Sequence, residues 1–405
     1  MLPVYQEFLS YPVILQVGNF NLFSHKGEPL SILELINDGL MTFFFFSVGL
    51  EIKREFLAGS LSTFRKATLP LIAACGGMIF PVIVYALICQ ESGGEMGLAI
   101  PMATDIAFSL GVLSLLGKRV PLTLKVFLTT LAVADDIGGI LVIAIFYSSG
   151  IELIYLLGAA LVFIFVFYMG KRGVISRTFF LICGTVAWYL FLQSGIHCTI
   201  AGVILAFVIP AKPQLNVGKY IEYIRRAIRT FPSMNSESTV LTNAQIKKLK
   251  RVEMASDRVI SPLQSMEDGL HNAVTYLILP LFAFANAGIV FNGNEGGDAM
   301  GNVTIAVALG LLIGKFIGIF TFTVGSIKLK IAPLPEGMNW KNIAGVSILG
   351  GIGFTVSLFI AHLSFGLTEP VLLNQAKLGI VIGSITSGLL GYLFLHMTLP
   401  PEQSR

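Results

Sequence analysis

Four ionisable residues lie deep inside apolar stretches of this 405-residue chain: Asp105, Asp135, Asp136 and Lys315. A charge at the centre of a bilayer costs from about 2.5 kcal/mol upward on insertion scales, so such residues mark ion or proton paths. Asp135 and Asp136 are neighbours. Successive helical positions diverge by about 100°, so both carboxylates reach a polar interior only where it wraps much of their helix. Two carboxylates this close in a low dielectric do not both stay ionised without compensation. A proton or a small metal cation each supplies the missing charge, so the two compete for one site. That competition is the logic of an exchanger. Lys315 is the natural counter-charge, since a salt bridge to an Asp offsets the cost of burying its ammonium. A Lys–Asp pair that opens when a cation arrives would release a proton from the lysine as well. Packing offers plainer readings for single residues: Asp105 as an acceptor for a neighbouring helix, Lys315 as a side chain snorkelling to an interface. The adjacent pair is harder to explain that way.

The surrounding chain points to lipid as the solvent. It is 55% hydrophobic and 12% charged, against about 25% charged in soluble proteins, and its mean hydropathy is +0.81. A net charge of +4 is too small a surplus on this length for a nucleic-acid binder. The four cysteines, Cys75, Cys89, Cys183 and Cys198, sit in apolar runs without the spacing of a disulfide scaffold or zinc site, and read as packing residues.

A crossing needs about 20 mostly apolar residues. Eleven runs qualify, near 31–50, 67–89, 97–116, 122–147, 152–169, 177–194, 196–210, 270–292, 300–325, 343–364 and 373–396, the seventh being the shortest. This divides the chain into an external segment (1–30), seven helices (31–210), a cytoplasmic loop (211–268), four helices (269–398) and a tail (399–405). Alternate connections hold 24 of the 27 Lys and Arg, and those between them hold none. By the positive-inside rule the basic connections and the C-terminus are cytoplasmic and the N-terminus is outside. An odd number of crossings with a nearly uncharged external start leads us to expect a further segment before Met1.

The loop 211–268 carries ten basic and six acidic residues. It reads as soluble and too small for a catalytic domain. Between Lys219 and Arg229 it places Ile221, Ile224 and Ile228 on one helical face and Arg225, Arg226 and Arg229 elsewhere. That pattern suits either an anionic leaflet or a solvated linker.

Two runs make poor continuous helices. The third contains Pro101, Thr104 and Asp105; the tenth contains Gly350, Gly351 and Gly353. Proline removes a backbone donor, and clustered glycines let the chain unwind where it faces protein or water. Unwinding at midplane exposes half-helix partial charges, which Asp105 and Lys315 are placed to neutralise. Runs two to four begin inside and runs nine to eleven outside, and the middle member of each triplet is the interrupted one. That is an inverted repeat with a site at the crossing.

These residues are specific enough to carry a family resemblance. Phe46–Glu55, Thr104-Asp105-Ile-Ala-Phe-Ser-Leu-Gly, Asp135-Asp136-Ile-Gly-Gly, Leu277–Asn286, Gly314-Lys315, Leu334-Pro-Glu-Gly and Gly351–Thr355 resemble the NhaA family of bacterial sodium/proton antiporters, over about residues 5–396 apart from most of 213–260. The resemblance implies an all-α polytopic inner-membrane protein, an inverted-topology repeat with two crossed, interrupted helices. It implies Asp136 as main cation ligand and proton carrier, and Asp135 as its neighbour at the transported Na+, partnering Lys315. Asp105 and Thr104 would belong to the crossed segments. Glu51, Lys53, Arg54, Glu55 and Glu267 would form a cytoplasmic pH-sensing funnel, although Glu51 to Glu55 also read as an ordinary charged helix end. The resemblance also implies a homodimer.

The chain departs from the family in three places. The family normally has a helix before the segment that starts this sequence, so about eleven are expected here, and a misplaced start codon accounts for the difference as readily as a real loss. The segment that normally reads basic-Leu-Glu-His and then Leu-His-Pro-Trp is Ser265-Met-Glu267-Asp268 and Leu270-His271-Asn272-Ala273, with basic and His character lost. The loop 211–268 is longer than the compact form.

The function expected is electrogenic exchange of internal Na+ or Li+ for external H+, regulated by pH, without ATP or an organic cofactor, since no Walker-type phosphate loop occurs. An intramembrane aspartyl protease is disfavoured because adjacent acids on one helix point apart instead of sharing a proton across a cleft. An organic-anion symporter on the same scaffold would be expected to lack the paired Asp or to add cationic residues for its substrate.

Overall fold

The computed structural model describes residues 3–400 other than 15, 18–19, 22, 26–27, 91–92, 149, 214, 232–240, 290–299 and 367. It is a bundle of helices, with two antiparallel hairpins of two-residue strands in the N-terminal segment. In chain order these are α1 (Pro3–Ser10), α2 (Ile32–Leu57), α3 (Phe64–Ile88), the broken α4 (Gly94–Met102, then Ile106–Ser114), α5 (Leu122–Phe146), α6 (Leu153–Lys171), α7 (Arg177–Ser194) and α8 (Thr199–Val208). There follow α9 (Val217–Arg229), α10 (Asn243–Val259), α11 (Pro262–Ala273, Val274–Ile278 and Leu279–Asn286 end to end), α12 (Asn302–Lys328), the broken α13 (Trp340–Leu349, then Phe354–Phe365) and α14 (Pro370–Thr398).

All eleven apolar runs carry helix. Among the described residues six helices are long and apolar enough to cross a bilayer, eight if each bent pair is one span. The remaining runs are α7, α8 and α11. The seventh run is shorter than expected: α8 has ten residues, about 15 Å at 1.5 Å per residue. Gly195, in the left-handed region at φ +79°, ends α7 and turns the chain before α8 begins. The eighth run starts earlier than its hydropathy suggests. Ser261 caps the backbone of Gln264 and Pro262 takes the first helical position, so α11 begins at 262 and ends at Asn286. Residues 290–292 of that run lie outside the described residues.

The two chain halves meet where α3 crosses α12. A Cβ on either Gly76 or Gly318 would collide with the other's carbonyl, so the backbones touch there without side chains between them. Lys315 lies one turn away. A π-helical turn, Gly310–Gly314, directly precedes it, and the residue this inserts rotates Lys315 away from the face a regular α-helix would give it. Hydropathy carries no trace of that turn.

Two cations cap helix ends on the basic side of the bundle. Arg119 donates to the carbonyls of His396 (2.7 Å), Leu399 (2.8 Å) and Pro400 (3.0 Å) at the end of α14. Lys53 donates to Phe207 (2.7 Å) and to Ile209 at the end of α8. On the other side the N-terminal segment folds onto the bundle: Leu30 is buried, and Gln193 of α7 donates to the Ser24 carbonyl at 2.6 Å.

Candidate functional site

The breaks in α4 and α13 cross each other. α4 bends by 40° and α13 by 44°. Ala103 (ψ 148°) and Asp105 (φ −90°, ψ 104°) are extended, and the backbone N–H of Asp105 donates to the Ile352 carbonyl at 2.6 Å. Two reciprocal contacts flank this bond. Ser109, in the second half of α4, donates to the Leu349 carbonyl ending the first half of α13 (3.1 Å); Ser357, in the second half of α13, donates to Ile100 in the first half of α4 (2.8 Å). Carbonyls orphaned by each interruption therefore find hydroxyls on the other helix.

The orphaned N–H groups converge on one carboxylate. Asp105 Oδ1 accepts from Phe108 N (3.1 Å), capping its own half-helix, and Oδ2 accepts from Thr355 N (3.0 Å) and Thr355 Oγ1 (2.5 Å) in the first turn of the other. One negative charge thus faces two half-helix N-termini, the pairing the helix dipole favours. Asp105 thus lies at the N-ends of both half-helices, while the carbonyl end of α13's first half is met by the Thr104 hydroxyl, 3.0 Å from Gly350 O.

Lys315 completes a buried triad. Its Nζ donates to Asp135 Oδ2 at 2.6 Å and to Thr104 Oγ1 at 2.9 Å. Thr104 Oγ1 lies 2.6 Å from Asp135 Oδ2, so its single proton has that carboxylate and the Gly350 carbonyl as alternative acceptors. The side chains of Lys315 and Asp135 are both fully buried. Asp135 lies 13 residues into the 25-residue α5, about 20 Å along a helix of about 38 Å.

Two features leave the site incomplete. Asp135 Oδ1 is buried without a hydrogen-bond partner, on the side facing Gly77 of α3. Asp136, also buried, makes neither a hydrogen bond nor an ion pair with any described residue. Three carboxylates and one ammonium would carry an uncompensated charge of −2 if all were ionised, and a buried surplus of that kind demands protons or a cation. Among the described residues no three His, Cys, Asp or Glu side chains gather as a resident metal centre would.

On the basic side, Arg54 pairs with Glu267 of α11 and lies 3.6 Å from Glu55. Glu55 Oε2 accepts from Ser60 N (2.9 Å) and Ser60 Oγ (2.8 Å), and Ser60 Oγ sits 2.5 Å from Thr130 Oγ1 on α5. Glu51, one turn from Glu55, interacts electrostatically with Arg54, Glu55 and His271 on one side and with Asp136 on the other. The fold so brings Glu51, Arg54, Glu55 and Glu267 together and turns Lys53 away to the end of α8. Glu267 precedes the apolar part of α11. Burial pushes its carboxyl above the ordinary range, the nearby Arg54 guanidinium pulls it down, and Glu51, Asp268 and Glu55 push it up.

Thr355, Ser109, Ser357, Ser60 and Thr130 were not anticipated. Isolated hydroxyls look like ordinary packing residues in sequence; the acceptors of Ser109 and Ser357 come from the break in the partner helix, that of Thr355 is Asp105, and Ser60 bonds Glu55 and Thr130. A cavity of about 320 Å³ lined by Phe43, Phe46, Trp188 and other apolar residues lies between α2, α7 and α8, apart from the acids.

Residues 1–395 match the model of a family described as Na+/H+ antiporter 1. The chain is 67% identical over 401 residues to a Bacteroides fragilis protein named Na(+)/H(+) antiporter NhaA, covering 99% of this chain and 91% of the relative. It is 68% identical over 404 residues to the protein of that name from Bacteroides thetaiotaomicron (100% and 92% covered). To the one from Helicobacter pylori it is 44% identical over 384 residues (95% and 85%).

Proposed function

The chain belongs to the Na+/H+ antiporter 1 family, and from that premise we propose that it exchanges one cation for protons at Asp135 and Asp136. The protein is a Na+/H+ exchanger, a multi-pass protein of the bacterial inner membrane and not an enzyme. Na+ and H+ are its substrates and no cofactor enters the reaction. Neither the protease nor the organic-anion symporter is favoured beside relatives of this identity.

The observation that carries the assignment of the site is the asymmetry of two adjacent acids. Asp135 is held by Lys315 and Thr104, while Asp136 and Asp135 Oδ1 have no hydrogen-bond partner among the described residues. In this reading Na+ or Li+ enters from the basic side and takes oxygen from Asp136 and from the free oxygen of Asp135. Binding weakens the hold of Asp135 on Lys315, and protons leave from Asp136 and Lys315. The breaks at 103–105 and 350–353 then rearrange around Asp105 and Thr104, exposing the site to the other side, where protons displace the cation.

Two protons per cation move one net charge, so the exchange is driven by voltage as well as by pH, at about 2.3 kcal/mol per charge per 100 mV. The basic connections and the C-terminus face the cytoplasm and the N-terminal segment faces outward. Glu51, Arg54, Glu55 and Glu267 set the pH at which the entrance opens, and the helices act in lipid as a homodimer.

The test is sodium-dependent pH change in everted vesicles. Asp136→Asn is expected to abolish it. Full exchange by that variant would sink the assignment.

A further inference from the structure

The hairpin of α9 and α10 takes no part in the exchange site, yet it presents an apolar strip with nothing described against it. Along α9, Tyr220, Ile224 and Ala227 recur at helical spacing and are half-buried on the side packed on α10. Val217, Ile221 and Ile228 fall beside that strip and stay 59%, 51% and 70% exposed. Arg225 and Arg229 border them, and Lys219, Glu222 and Arg226 take the opposite face. Lys248 donates to the Thr230 carbonyl at the end of α9, which joins the two helices.

The base of this hairpin is held at a definite level. Leu215 N donates to Arg258 O (3.0 Å) and Leu263 N to Pro210 O (3.3 Å), so the chain enters and leaves the hairpin side by side. Pro210 packs on Gly170, next to Lys171 and Arg172 at the end of α6, and Arg177 at the start of α7 donates to Ser265 at 2.6 Å. Those helix ends mark the headgroup level of the bilayer. The hairpin therefore stands beside a leaflet at short range.

We propose that α9 is a lipid-docking helix whose Val217, Ile221 and Ile228 enter the interface of an anionic leaflet while Arg225 and Arg229 pair with its headgroup phosphates. Exposed apolar residues bordered by cations match that surface in both hydrophobicity and charge. A second copy of this chain would bring a hairpin of the same charge excess against it, ten basic to six acidic residues over 211–268, and like charges oppose that pairing. The proposal rests on the membrane reading alone and not on the residues assigned to exchange.

The test is amide hydrogen exchange on the full chain in vesicles of phosphatidylcholine alone and of phosphatidylcholine mixed with phosphatidylglycerol. The amides of 217–229 are expected to exchange about tenfold more slowly with phosphatidylglycerol present. The double variant Ile221→Asp/Ile228→Asp should return them to the rate in phosphatidylcholine, with 243–259 unchanged as the control for folding. If that variant also loses protection over 243–259, Arg225→Gln/Arg229→Gln decides, and it should remove the response to phosphatidylglycerol without unfolding the hairpin. Equal exchange in both vesicles for the unmodified chain would overturn the proposal. So would protection that depends on the protein-to-lipid ratio and not on lipid charge, the behaviour of a contact between copies.

Discussion

Lys315 Nζ donates to Asp135 Oδ2 at 2.6 Å with both side chains sealed from solvent, while the next residue, Asp136, has no such partner among the described residues. Removing one member of a buried ion pair strands the other, at a cost of about 3–5 kcal/mol. Lys315→Met should therefore lower thermal stability, because Asp135 loses the cation that offsets its burial. Lys315→Met/Asp135→Asn should recover most of the loss. A melting series on the single and double variants checks this, and strict additivity would count against the pair.

Asp136 has the opposite profile, because it makes neither a hydrogen bond nor an ion pair with any described residue. Asp136→Asn should leave the melting temperature within a few degrees of the parent, or raise it, since it removes a buried charge. Cation-dependent stabilisation should vanish: the parent's melting temperature is expected to rise with added Na+ or Li+ and the variant's to stay flat.

Thr355 ties Asp105 to the second broken helix through both its N–H and its hydroxyl. Thr355→Val keeps the volume and deletes the hydroxyl, costing about 1.5–3 kcal/mol for a hydrogen bond to a charged group. Thr355→Ser should restore stability. Denaturation of the three proteins in detergent tests it, and equal stability of Val and Thr would mean that the backbone bond alone suffices.

Gly318 packs against the Gly76 carbonyl, so any Cβ there pushes α12 off α3. Gly318→Ala is expected to destabilise by about 1–3 kcal/mol, and to slow exchange more than its stability explains, because Lys315 lies one turn away. Comparing transport at a temperature where both proteins are fully folded separates the two effects.

Arg54 holds the Glu267 carboxyl down against burial and neighbouring acids. A carboxyl is charged above its pKa, and Arg54→Gln removes the cation that favours the charged form, so Glu267 should ionise at higher pH. If its ionisation opens the entrance, the pH of half-maximal exchange should move to the alkaline side by about one unit. Glu267→Gln, which has no charge to gain, should make the Arg54 substitution silent in the pH profile. Pairing pH profiles of the two single variants with that of the double provides the check.

Much of this was legible before folding. Asp135 and Asp136 announce themselves because a charge in an apolar run is expensive wherever the run ends up. The two interruptions show through Pro101 and the Gly350–Gly353 cluster, since both residue types act on the backbone locally. Lys53 shows the limit. Its place among Glu51, Arg54 and Glu55 suggested one charged cluster, but neighbours on a helix point about 100° apart, and Lys53 faces the end of α8 instead. The length of α8 and the early start of α11 were set by a turn glycine and a Ser-Pro cap, local signals that hydropathy averages over.

Residue chemistry along the chain thus determined which groups need compensation: three acids and a lysine in oil, and two helices that do not run through. Tertiary structure alone decided what compensates each of them. Asp105 serves two half-helix ends, Thr104 and Lys315 hold Asp135, and Asp136 has no such partner among the described residues. The reason is physical. The penalty for burying a charge belongs to the residue, whereas its relief depends on partners 180 and 250 positions away in the chain, brought within 3 Å by helix crossings and a π-helical turn that no hydropathy profile records.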